Sequence, residues 1–364
     1  SNYLQQVLRI ITDNRSLLPV MKNSFTPYAP PWYFRNGIVQ TVTTTYRYGK
    51  TWEIWQKQVS WLKNYPPLPW QEKVFAGAED VPLWGKWACP PEAHGTMIIN
   101  YGITGNTEQS WYTYLTAYKA YAQGWAVLVY DWRGHGKTAE LSPVPMSDGW
   151  REGDDQVRLA EQLVALGCPE KVVLVGFSLG GQLALWGLKA AQAHNSPLIQ
   201  GAATLAPNLE SNWTLDFLVS YPFGRIVEKK FTKELKAAAC QQAMSFPNVV
   251  DASAVDRIHS IRDFDREIVI DYYGFASDTD YYNCTAGLYL LDQLTLPYLI
   301  VYAADDPIFE PKIIPEMQAK VEKNADGHLL LTEHGGHISH IGQKNGIEDQ
   351  FWGINRLLEF VNEV

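Results

Sequence analysis

One run, Lys171-Val172-Val173-Leu174-Val175-Gly176-Phe177-Ser178-Leu179-Gly180-Gly181-Gln182-Leu183, limits what this chain can fold into more than any other. Its valine-rich start reads as a buried strand. The small and apolar residues after Gly180 have helical spacing, so Ser178 falls at a strand-to-helix turn. In this Gly-x-Ser-x-Gly pattern Gly176 and Gly180 are needed because strand and helix approach too closely for side chains and the backbone at the serine is strained. The serine is thereby pushed out above a sheet, with the amide of Leu179 at the helix N-terminus facing the same spot. The run is not a membrane helix: Lys171 opens it, and Gly176, Ser178, Gly180, Gly181 and Gln182 interrupt it.

The flanking sequence supplies the rest of that sheet. Apolar or alternating runs predict strands at 73–76, 82–89, 96–101, 125–130, 201–206, 297–303 and 328–332. Between them, helical spacing predicts helices near 110–122, 148–166, 311–323 and 348–361. The first two strands read as an antiparallel hairpin, and the later alternation of strand and helix predicts an α/β fold whose mostly parallel sheet is covered on both faces. From residue 207 to 295 the alternation stops; helical stretches near 213–221, 231–244 and 271–282 lie in aromatic-rich sequence and predict an inserted, mainly helical cap. The first seventy or so residues, rich in Pro, Trp and Tyr, are expected to wrap the core. The expected organisation is a wrapping extension over 1–70, a first core part over 71–206, the cap over 207–295 and a second core part over 296–364.

Composition narrows the function classes. The 364 residues are 46% hydrophobic, enough for a large buried core, and carry a net charge of −9, which argues against a nucleic-acid surface. Lys229, Lys230, Lys233 and Lys236 are interleaved with Glu228 and Glu234, as on a solvated helix face. Cys89, Cys168, Cys240 and Cys284 lack the spacing of a zinc or redox motif and are expected to be free thiols. Residues 1–14 lack the basic start and continuous apolar core of a signal peptide, so a cytoplasmic, reducing setting is expected. Leu4, Val7, Leu8 and Ile11 have helical periodicity; docking on the protein's own body is the expectation and peripheral membrane contact the alternative.

A serine hydroxyl is a poor nucleophile at neutral pH and needs a base, usually histidine, which in turn needs a carboxylate to fix its tautomer. After a strand-turn-helix serine the chain order is acid, then histidine. The acid belongs just past the strand at 297–303, where Asp305-Asp306-Pro307 occurs. Asp306 lies further into the turn, while Asp305 is suited to capping the next helix or bonding turn amides. The histidine belongs after the final strand, where His337 is favoured because Gly335 and Gly336 let its loop approach the serine. His334 and His340 read as surface or packing residues, and His94 and His135 as ordinary loop residues. For a developing oxyanion the amide of Leu179 is one donor, and the loop Gly102-Ile103-Thr104-Gly105 offers the amide of Ile103 as the other.

These residues resemble those of the α/β-hydrolase superfamily, and within it the YheT-like branch that includes eukaryotic abhydrolase-domain lipases. The resemblance covers nearly everything after about Phe25. Asn36-Gly37-Ile38-Val39-Gln40-Thr41 looks like the branch's N-terminal Gln-Thr signature. Asp263-Phe264-Asp265, Tyr273-Gly274-Phe275 and Asp280-Tyr281-Tyr282 look like its cap signature, and Asp305-Asp306-Pro307 and Gly335-Gly336-His337 like its acid and base motifs. It implies Asp306 as the acid, and ester or lipid hydrolysis by Ser178, Asp306 and His337 without metal or organic cofactor. Where members usually carry His-Gly before the oxyanion loop this chain has Tyr101-Gly102, which alters the bonding beneath that loop but not a backbone donor.

The cap aromatics Trp213, Phe217, Tyr221, Phe223, Tyr272, Tyr273, Phe275, Tyr281 and Tyr282 predict an apolar pocket for a small-molecule ester with a medium-chain or lipid-like acyl group. Charged acyl groups are expected to be disfavoured, because nothing in the cap obviously pairs a buried charge. Acyl transfer through the same groups is the alternative enzymatic reading, and a non-catalytic small-molecule receptor the alternative outside enzymology.

Overall fold

The computed structural model describes residues 26–51, 65, 67–344 and 346–364. Eight strands form one sheet: β1 (Gln71–Ala76), β2 (Pro82–Ala88), β3 (Gly95–Asn100), β4 (Trp125–Tyr130), β5 (Val172–Phe177), β6 (Ile199–Leu205), β7 (Tyr298–Ala303) and β8 (Gly327–Thr332). β3, β4, β5 and β7 are buried at every position, because helices cover both faces and no polar side is needed. Alternate residues feed two apolar layers: Ile98 and Leu174 pack on one face, Met97, Ile99, Val173 and Val175 on the other.

The spatial order is β1-β2-β4-β3-β5-β6-β7-β8. β2 pairs antiparallel with both β1 and β4, so the expected hairpin opens the sheet, and the remaining pairings are parallel. The chain moves outward from β3 to β4, then returns to lay β5 on the other side of β3. Such a reversal opens a crevice at the carboxyl ends of the strands. Since β3, β5, β7 and β8 are parallel, the loops after Asn100, Phe177, Ala303 and Thr332 all emerge along that edge.

The helices that matter for the site are α1 (Gly37–Thr44), α2 (Trp111–Ala122), α3 (Trp150–Ala165), α4 (Leu179–Ala193), α5 (Ser211–Ser220), α6 (Pro222–Ser245), α7 (Asp278–Thr285), α8 (Ile313–Val321) and α9 (Trp352–Glu363). No helical pattern was expected for α1, whose threonines and nearby prolines lower helix propensity. The Asn36 side chain caps it by accepting from the amide of Val39 at 3.0 Å. Between β6 and β7 the described residues form helices and no strand. The stretch expected at 231–244 is the second part of the 24-residue α6, which Pro222 opens. The stretch expected at 271–282 is broken: Gly274 turns left-handed at φ 75°, and α7 restarts after Ser277, whose side chain accepts from the amide of Asp280.

The four cysteines are free thiols. No helix among the described residues is long and apolar enough to cross a membrane. Leu4, Val7, Leu8 and Ile11 lie outside the described residues.

Candidate active site

Ser178 occupies the turn between β5 and α4 with φ 53° and ψ −124°, a backbone conformation that side chains rarely adopt. Steric contact explains the glycines on either side. A Cβ at Gly176 would lie 2.1 Å from the carbonyl oxygen of Gly180, and one at Gly180 would lie 2.3 Å from that of Tyr101. The hairpin-like reversal is held by the Ser178 carbonyl, which accepts from the amides of Gly181 and Asn208.

His337, in the loop after β8, reaches this turn. Its Nε2 lies 3.0 Å from Ser178 Oγ, and its Nδ1 lies 2.8 Å from Asp306 Oδ2. A carboxylate can only accept, so Nδ1 carries the proton and Nε2 is left to accept from the serine hydroxyl. Asp306 is buried, and its other oxygen accepts from the amide of Ile308 at 2.8 Å. Phe309 packs edge-on against the imidazole at 5.1 Å. Asp305 faces elsewhere: Oδ1 accepts from the amide of Gly336 at 2.9 Å and Oδ2 lies 3.3 Å from His334 Nδ1. The chain order thus singles out three side chains that the fold brings into one hydrogen-bonded line.

The loop after β3 passes directly over the serine. A Cβ at Gly102 would be 3.1 Å from Ser178 Cβ, and Ile103 and Leu179 line the same cavity as Ser178. Neither the Ile103 nor the Leu179 amide donates in the turn, loop and cap hydrogen bonds of the described residues. Tyr101, which stands where a histidine was the family expectation, is fully buried and donates to Asp131 Oδ1 at 2.9 Å. Asp131 also accepts from the amides of Thr107 and Lys137, so the tyrosine is joined through it to the loops beside it.

His135 is more than an ordinary loop residue. Its Nδ1 lies 3.0 Å from the carbonyl oxygen of Arg133 and must donate there, so Nε2 accepts from the amide of Thr104 at 3.1 Å. Burial lowers its pKa to about 4, which keeps that acceptor available. Arg133 itself is buried and held by Asp155 through bonds of 2.7 and 2.9 Å. The loop after β3 is therefore tied through His135 and Arg133 to α3. The signal in the sequence was Arg133-Gly134-His135-Gly136 at the end of β4, whose glycines mark a tight turn. His340 is also buried, stacks on Trp352 and is held neutral by that burial.

The cavity beside Ser178 measures about 60 Å³. Apolar walls come from Met146, Leu215, Leu218, Phe231, Ile261 and Phe309. Of the cap aromatics named from the sequence, Tyr282 alone lines it, beside the aliphatic Leu215 and Leu218 of α5. Asp265 of the cap lines this cavity together with Asp148, two carboxyl groups that the apolar-pocket expectation did not name. Burial raises the Asp265 carboxyl well above its usual range, with Asp148 adding to the effect. Asp148 is pushed up to about 7 by burial and by Glu152. Ser211 donates to Asp148 at 3.1 Å, and Tyr282 donates to Asp265.

Comparison with known proteins places the fold in a family. Residues 93–344 match the model of the "Alpha/beta hydrolase family". The chain is 36% identical over 356 residues to "Putative esterase slr0264" of Synechocystis, covering 92% of this chain and 94% of that one. It is 24% identical to "Putative esterase YheT" of Escherichia coli, over 80% of this chain and 84% of that protein. Human "Monoacylglycerol lipase ABHD2" is 24% identical over 74% of this chain and 65% of that one. Among solved structures, a Pyrococcus furiosus esterase superposes with a TM-score of 0.52 at 16% identity, covering 83% of this chain and 93% of that one, which speaks to fold alone. A serine on a strained strand-to-helix turn at the switch point of a mostly parallel sheet, and sequence likeness running almost the full length, have one common source: the chain belongs to the alpha/beta hydrolase family, in its YheT-like branch.

Proposed function

We propose that the protein hydrolyses carboxylic esters of apolar acyl groups, with Ser178 as nucleophile, His337 as base and Asp306 as the carboxylate that orients the base. The observation that carries this reading is the unbroken line from Asp306 through His337 to Ser178 Oγ at 2.8 and 3.0 Å. His337 Nε2 takes the hydroxyl proton as Ser178 Oγ bonds to the ester carbonyl carbon, and Asp306 stabilises the imidazolium that forms. The carbonyl electron pair moves onto oxygen, where the amides of Leu179 and Ile103 receive the charge. The bond to the alcohol oxygen then breaks, and the imidazolium returns its proton to that oxygen. Water attacks the acyl-Ser178 by the same route, losing a proton to His337, and the carboxylic acid leaves as the proton goes back to Ser178.

Ester chemistry is also what the names of the Synechocystis, Escherichia coli and human relatives state for those proteins. The mostly apolar walls favour an uncharged acyl group, and burial holds the Asp265 carboxyl toward its neutral form, so it offers no charge to pair with a charged one. The cavity of about 60 Å³ beside Ser178 is where the acyl group would lie.

The test is labelling with a fluorophosphonate probe. Ser178 should be the residue modified, and Ser178→Ala should abolish labelling with the circular dichroism spectrum unchanged. Intact-mass detection of label on that variant would remove the nucleophile from this reading.

A further inference from the structure

The loop that carries His337 is held from a distant part of the chain. Its backbone is left-handed at Gly336 (φ 60°), Ile338 (φ 49°) and His340 (φ 42°). For a β-branched residue such as Ile338 this is a genuine outlier, and it persists only where the surroundings determine it. The surroundings here include α1. Thr41 Oγ1 accepts from the amide of His337 itself at 2.8 Å, across 296 residues of sequence, while its own proton goes to the carbonyl of Gly37 at 2.7 Å. The neighbouring Gln40 is fully buried. Its Oε1 accepts from the amide of Ile341 at 2.8 Å and from the Tyr28 hydroxyl at 2.8 Å, and its Nε2 donates to the carbonyl of Phe34 at 2.8 Å. Two consecutive side chains thus grip the loop on both sides of its strained turns.

The contact between helix and loop is too close to slide. A Cβ at Gly336 would lie 2.7 Å from Thr41 Oγ1, and one at Gly37 would lie 1.7 Å from the carbonyl oxygen of Asp305. The start of α1 therefore rests on the acid turn while its next residues hold the base loop. On the opposite side Asp305 holds the amide of Gly336.

Resting on the serine-hydrolase reading, we infer that Gln40 and Thr41 are positioning residues for His337. They fix the main chain from which the imidazole must span Ser178 and Asp306 at once. Both ring nitrogens are committed to those partners, so the ring has no further bond with which to correct a displaced backbone. Displacements below an ångström at a reacting group cost large factors in rate.

The experiment is a set of variants of the full chain assayed on one chromogenic short-chain ester. Thr41→Val keeps the shape and removes the acceptor. It should lower kcat by about 10- to 100-fold, with KM within about threefold and the fluorophosphonate labelling rate of Ser178 falling in step. Thr41→Ser restores the oxygen and should return kcat to within about threefold. Val42→Ala, on the exposed side of the same helix, should leave kcat unchanged. In a His337→Ala background Thr41→Val should change the residual rate by less than about twofold, because its effect runs through that side chain. Gln40→Met, which loses the acceptor for Ile341, is read in the same way should Thr41→Val not fold. A loss confined to KM, an equal loss in Val42→Ala, or an undiminished effect in the His337→Ala background overturns the inference. So does wild-type kcat in both Thr41→Val and Gln40→Met. Hydrolysis surviving in Ser178→Ala would instead remove the function on which it rests.

Discussion

Two adjacent carboxylates after β7 meet different partners, and the difference is measurable. Asp306 Oδ2 faces the protonated nitrogen of His337, whereas Asp305 is spent on the Gly336 amide and His334. Asp306→Asn and His337→Ala should each lower turnover about a thousandfold or more, while Asp305→Asn, which keeps a carbonyl acceptor for Gly336, should cost about tenfold or less. Steady-state kcat of the three variants ranks them, and a larger loss in Asp305→Asn would move the acid by one position. Asp148 sets a different prediction. Its folded pKa, raised from 3.8 to about 7, means that the folded form holds a proton the unfolded chain releases. Its stabilising contribution is complete below the ordinary value and is lost as pH rises through 7. Asp155, raised to about 6 by burial, acts in the same direction, while the neutral buried His135 and His340 act oppositely, losing stability as pH falls. Comparing Asp148→Asn with wild type leaves Asp155, His135 and His340 out of the difference, while the relief of Asp265, whose pKa Asp148 raises, acts in the same direction. The variant should gain on the order of 2 kcal/mol of relative stability between pH 5 and pH 8, read by urea unfolding.

The elbow is an element in which backbone geometry leaves no room for a side chain. At Gly176 a methyl group would meet the Gly180 carbonyl at 2.1 Å, and both atoms belong to main chain that cannot swing away. Gly176→Ala should therefore destabilise the fold by about 3 kcal/mol or more, through overpacking and displacement of α4 from β5. Denaturant midpoints will check this; a change below about 1 kcal/mol would mean that the turn relaxes more easily than its contacts imply. The loop after β3 behaves as a second fixed element, since His135 holds Thr104 and Asp131 holds Thr107.

At the scale of the whole molecule, the helices between β6 and β7 meet the core through discrete polar contacts over a packed apolar interface. Thr104 donates to Glu234 at 2.6 Å, Tyr273 to the carbonyl of Pro145 at 2.6 Å, and Trp186 to that of Thr285 at 2.7 Å. Each methylene accommodated in the cavity should add about 0.8 kcal/mol, or roughly fourfold in kcat/KM, until the space is filled. In wild type the rise should stop once that space is filled; Phe231→Ala, which removes part of the wall, should carry it to longer chains. A kcat/KM series over straight-chain acyl esters measures both slopes. Preference for a charged acyl group would contradict the apolar-pocket reading.

The sheet and the serine turn were legible because they depend on local pattern. Apolar runs and the glycines around Ser178 are properties of short windows, which strand pairing and steric exclusion translate directly into structure, and Asp306 and His337 were legible because each follows a readable strand. Helix α1 was not legible, since its threonines disfavour a helix and its stability comes from partners hundreds of residues away. For the same reason the sequence alone singled out Gln40 and Thr41 only by resemblance, while the fold decided that they grip the loop of His337. The cavity shows the same division. Aromatic content between β6 and β7 foretold an apolar surface, yet which residues face Ser178 depends on how α5 and α6 seat on the core. That seating put Leu215 and Leu218 where aromatics were expected and brought Asp265 beside Asp148. Covalent neighbours and periodicity determine elements; burial, charge pairing and volume arise only when elements from distant segments close on one another.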